Sequence, residues 1–318
     1  MPANFTSGWL GNGERAWHGM GVVTDGTLPA REAFETADAL FTVEKRELHF
    51  PRVLDAPRDG EWDFAPSGSY GVVRTDTQAL LGVVSKQYEI VQNDSLLRMA
   101  EFIREEVDMD SVVVLADGGK VAFTATLRGA ETDIVPGDTI KRRIVGYLGH
   151  DGKTGCGAIF TNIRVVCCNT LAAALNSNNK VSVHHKGGAN ANFDALISSI
   201  DVARQTFAQE ADLMREFARV SMGTEVFNEY LDEVYKIEEG QKFRKRDKLN
   251  AAFRRGIGAD YAPFSLWNAI NAVTEVETST RNQTAAGARR QFARANFGQG
   301  LQLSNRAIDV ATAYLSAV

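Results

Sequence analysis

The sequence predicts an α+β protein: an antiparallel β-hairpin sheet with packed helices over residues 1–190, followed by an all-helical part over residues 191–318. Three observations lead there. SVVVLADGGKVAFTATL reads as two apolar, β-branched strands joined by Asp117-Gly118-Gly119, a strong hairpin signal. TIKRRIVGYLGH and TGCGAIFTNIRVVCC flank a second turn, His150-Asp151-Gly152-Lys153, where Gly and Asp supply the φ values a reversal needs. After Asn192 the period changes, and Phe193, Ile200, Ala203, Phe207, Ala211 and Met214 recur at helical spacing for about 25 residues.

The remaining elements follow in order. Ala33, Phe34, Ala37 and Leu40 share one face of a helix that starts at Ala30, FTVEKRELHF reads as a strand, and a Pro/Gly/Asp loop runs through Ser69. YGVVR and LLGVVSKQYEIVQ are strand-like. Asn93-Asp94 is a good N-cap for a helix over DSLLRMAEFIREEV, with Leu96, Met99 or Ala100, and Ile103 on its buried stripe. Past the second hairpin, CCNTLAAALNS reads as a helix capped by Asn169 or Thr170, and NSNNKVSVHHKGGANAN is polar enough for a loop or boundary. Further helices are expected around Val226 to Ile237, Phe264 to Val276 and Leu303 to Leu315, separated by the basic stretch QKFRKRDK and by GADYAP and STRNQTAAGARR.

With 318 residues, 44% hydrophobic and 24% charged, the chain is excluded from the disordered and low-complexity classes. A net charge of -5 leaves no global positive field, so any nucleic-acid site must be local. No run of about 18 apolar residues occurs, and the first residues lack the basic-then-apolar order of a signal peptide. A cytoplasmic protein with no membrane partner is expected. Three cysteines, two of them adjacent at Cys167 and Cys168, fit reduced thiols better than a disulfide framework.

Enzymatic signatures fail one by one. Gly152-Lys153-Thr154 ends like a phosphate-binding loop, but the glycine required five positions earlier is Tyr147, and a hairpin surrounds the site. His184-His185 lacks metal-ligand spacing, and neighbours on a strand point to opposite faces. Cys156 has no visible base partner, and His18, between Trp17 and Gly19, has no acid partner. A non-enzyme without cofactor or metal is expected.

Positive charge is the remaining signal. From Asp138 to Asn190 the chain carries Lys141, Arg142, Arg143, Lys153, Arg164, Lys180 and Lys186 against only Asp138 and Asp151. Strand alternation puts Lys141 and Arg143 on one side and Arg142 on the other. Tyr147 and Phe160 supply aromatic faces nearby, as single-strand binding requires. The plainer reading is an ordinary charged outer face of a sheet over an aromatic core. A second cluster, Lys242, Arg244, Lys245, Arg246, Lys248, Arg254 and Arg255, is expected either as a solvated helix face or paired with the acidic run Glu225 to Glu239 of this or another subunit.

Four strings lie in a recognisable order: Ala16-Trp17-His18-Gly19-Met20-Gly21, Tyr88-Glu89-Ile90-Val91-Gln92-Asn93, the Gly-rich hairpin, and Ile163-Arg164-Val165-Val166-Cys167-Cys168-Asn169-Thr170-Leu171. Together they resemble the phage/plasmid-like proteins grouped under a domain of unknown function, over roughly residues 8 to 220. That resemblance carries over no settled activity; it implies a phage or plasmid setting in a bacterial host cytoplasm, where a protein of this size without a catalytic signature is expected to serve recombination, packaging or counter-defence. The order of helix, basic hairpins and helix is also similar to the core of Rad52-type single-strand annealing proteins, at the level of architecture. The resulting expectation is a non-catalytic protein that binds and anneals single-stranded DNA, as a ring or filament of identical subunits. Lys141, Arg142, Arg143, Lys153 and Arg164 would line a groove, Tyr147 or Phe160 would support bases, and Lys180 and Lys186 would clamp the strand. The competing expectation is an inhibitor of a host nuclease or defence complex with a host protein partner, and a third is an enzyme using His18, His150 or His184.

Overall fold

In a computed structural model, which describes residues 5–11, 21–51, 63–164, 169–171, 180–183, 193–278 and 299–316, the fold is α+β. The chain begins with β1 (Phe5–Leu10) and the two-residue β2 (Val22–Val23), then α1 (Ala30–Thr36), which buries Ala33 and Phe34. A meander of β3 (Val43–Pro51), β4 (Phe64–Arg74) and β5 (Leu80–Val84) forms a three-stranded antiparallel sheet. α2 (Asn93–Phe102) follows and buries Leu96, Leu97, Met99 and Ala100. The two expected hairpins come next: β6 (Val107–Leu115) turns through Ala116–Gly118 into β7 (Lys120–Val135), and β8 (Asp138–Gly149) turns into β9 (Cys156–Arg164). Two short strands, β10 (Asn169–Leu171) and β11 (Lys180–Val183), both pair with β9. The helices are α3 (Phe193–Arg219), α4 (Thr224–Tyr235), α5 (Arg246–Arg255), α6 (Leu266–Thr278) and α7 (Gln299–Leu315).

The main sheet has the order β10-β9-β8-β7-β6-β1-β2, with β11 also on β9, and all of these pairings are antiparallel except β1 with β2. One face carries Trp9, Val112, Phe123, Ile144, Leu148 and Phe160 into a contiguous apolar core, which continues through Phe217 and Phe227 to Trp267 and Ile270 of α6. Gly146 makes this packing possible. It sits across from Phe123, and a Cβ there would lie 2.1 Å from the Phe123 ring, so only glycine lets the ring rest on β8. Burying such a side chain contributes roughly 1.5–3 kcal/mol. The opposite face holds a smaller cluster of Leu10, Val113, Leu115, Ala122 and Tyr147, and beyond it polar side chains.

Two expectations are corrected here. Asn169–Leu171 is a strand rather than the start of a helix, because the open edge of β9 offers pairing to Asn162–Arg164 that outweighs local helix propensity. The basic stretch leads into a helix, α5, anchored by Leu249 and Phe253 one turn apart. Phe253 stacks on Phe227 of α4 at 4.1 Å, and Arg246 pairs with Asp232 of the same helix. The long helix follows its expected stripe, with Ile200, Ala203, Phe207, Ala211, Met214 and Phe217 buried.

Candidate nucleic-acid interface

Alternation along β8 separates its cations as expected, and each then meets a carboxylate. Arg142 points to the helix-covered face and is fully buried. Its Nη1 donates to Glu210 Oε2 of α3 at 2.6 Å and to Asn162 Oδ1 of β9 at 3.0 Å, while Nη2 donates to Thr206 Oγ1 at 3.1 Å. Asn162 Nδ2 donates to the same Glu210 oxygen at 2.6 Å. Burial pulls the Arg142 pKa down and Glu210 pulls it back up. The network fastens α3 across β8 and β9, so Arg142 does not line a groove. Phe160, across from Ile144, is likewise core rather than a base support.

On the other face Arg143 pairs with Asp110 at 2.8 Å, and both side chains are largely buried. Asp110 sits where the β6–β7 register slips, and its two oxygens accept from Thr126 Oγ1 at 3.1 and 3.0 Å. Burial pushes the Asp110 carboxyl up, against the pull of Arg143 and Thr126. Lys141 is half-buried and pairs with Glu131 at 3.0 Å. Tyr147 is buried in the smaller apolar cluster. Lys153 is exposed at the turn, where its N–H donates to Asp151 Oδ1 at 2.9 Å. Arg164 and Lys180 belong to β9 and β11, with side chains outside the described set, and Lys186, His18, His184, His185, Cys167 and Cys168 lie outside the described residues altogether. The expected groove is therefore not assembled from β8.

The remaining histidine and cysteine candidates are interior groups. His150 is buried, with Nε2 2.8 Å from Asn93 Oδ1, and the Asn93 amide donates to Phe41 O at 3.0 Å. Cys156 is buried, and desolvation pushes its thiol up to about 11. Among the described residues no group of three or more His, Cys, Asp or Glu is placed to hold a metal ion, and no helix is long and apolar enough to cross a membrane.

Around α5 the cations are arranged differently. Lys245 pairs with the buried Glu277 of α6 and Arg246 with Asp232 of α4, so these two are used in packing. Lys242, Arg244, Lys248, Arg254 and Arg255 are exposed, and none makes an ion pair with another described residue. Helical geometry puts Lys248 and Arg255, two turns apart, on one outer line of about 10 Å, with Asp247 beside Lys248 and Arg244 in the turn before the helix. Of the two expectations for this cluster, the solvated helix face describes Lys248, Arg254 and Arg255, and pairing with the acidic run describes Arg246, with Leu249 and Phe253 anchoring the helix.

The fold thus defines an α+β protein with a mixed eight-stranded sheet, a small antiparallel sheet and a helical C-terminal part. Residues 80–306 match a protein family described as Domain of unknown function (DUF932), and the chain belongs to that family. No curated protein and no solved structure matches the chain, so the likeness to Rad52-type proteins has no structural neighbour behind it.

Proposed function

We propose that the protein binds single-stranded DNA without acting on it chemically and promotes annealing in phage or plasmid recombination, with α5 rather than β8 as the phosphate-contacting surface. One observation carries this reading: five exposed cations on and before α5 have no carboxylate partner among the described residues, in a chain whose net charge is -5. Like charges gathered on one side of the surface repel, and a polyanion relieves that repulsion while releasing its own counterions. Annealing requires several protomers along one strand, so a ring or filament of identical subunits belongs to the same proposal.

The test is fluorescence anisotropy with a labelled oligonucleotide at rising salt, using the unaltered protein and a variant with Arg244, Lys248 and Arg255 all changed to Ala. Binding should weaken steeply with salt, with a log-log slope smaller by about 2 in the variant, at roughly 0.7 per lost phosphate contact. Absent or salt-insensitive binding overturns the proposal. A second reading has its own support: Glu225, Glu229 and Glu233 form an exposed acidic stripe on α4, suited to mimic nucleic acid before a host nuclease or defence complex. Inhibition of a nuclease by protein that binds no DNA would favour it.

A further inference from the structure

We draw no further inference here: the strongest candidate, the outer face of the three-stranded sheet where Leu80 and Val83 of β5 stand more than half exposed beside Gly71 of β4, carries nothing, because nothing in the structure shows what covers it.

Discussion

The two basic regions of this chain look alike as sequence and differ in almost every physical respect. On β8, Arg142 and Arg143 are desolvated and face Glu210 and Asp110, and Lys141 pairs with Glu131. On α5 and the turn before it, five cations stay in water with no described partner. A central strand has a paired strand at each edge, here with α3 over the Arg142 face, so each of its cations lies within reach of a carboxylate on a neighbouring element. A helix lying on the outside of a bundle has one free side. The difference teaches that a run of Lys and Arg is informative about binding only once the element that carries it has been placed in or outside the packed layers.

Removing Arg142 is the strongest way to test that contrast. Arg142→Ala would strand the Glu210 carboxylate in the interior, with a loss of about 3–5 kcal/mol in urea unfolding, and a paired Arg142→Met, Glu210→Leu variant should recover much of it. A loss below about 1 kcal/mol for the single substitution would mean that β8 is more open than the packing indicates. A smaller effect is expected at the β8–β9 turn. Asp151 Oδ1 accepts from the N–H groups of Thr154 and Lys153, Oδ2 accepts from the Thr154 hydroxyl, and Lys120 is 3.5 Å away. Burial opposes its ionisation, but these donors outweigh burial and hold the carboxyl below the usual range. A depressed folded pKa contributes stability that is present above the unfolded value near 3.9 and is lost as pH falls through the folded one. Asp151→Asn should therefore cost about 1–2 kcal/mol at pH 7, and the gap to the unaltered protein should close below about pH 4 when unfolding is followed across that range. The smallest effect belongs to α5. Changing Arg244, Lys248 or Arg255 to Ala should move stability by no more than about 0.5 kcal/mol each, and a larger loss in thermal unfolding would show that these cations are structural after all.

Legibility in the sequence followed the range of the interactions. Both hairpins were readable because Asp117-Gly118-Gly119 and Gly152, at φ +73°, encode their own reversals locally. FTSGWL gave no comparable signal, since most of β1 pairs with β6, far along the chain, and only Trp9 and Leu10 meet the short β2. The helix expected at Asn169 reflected real local propensity, which lost to the edge of β9. At the candidate site the split of Lys141 and Arg143 from Arg142 was visible from alternation. That Glu210, a whole helix away, would claim Arg142 was not, because a charge pattern carries no information about what packs on it.

The place of β1 has a consequence for synthesis. Phe5 pairs opposite Leu115 and Leu10 opposite Ser111, so the strand leaves the ribosome about 100 residues before its partner, roughly 5–20 s at ordinary elongation rates. During that interval Trp9 and Leu10, both fully enclosed in the finished sheet, have only the two-residue β2 beside them. The nascent chain must carry these side chains uncovered until β6 emerges, which makes the interval one in which a holdase chaperone would find a target.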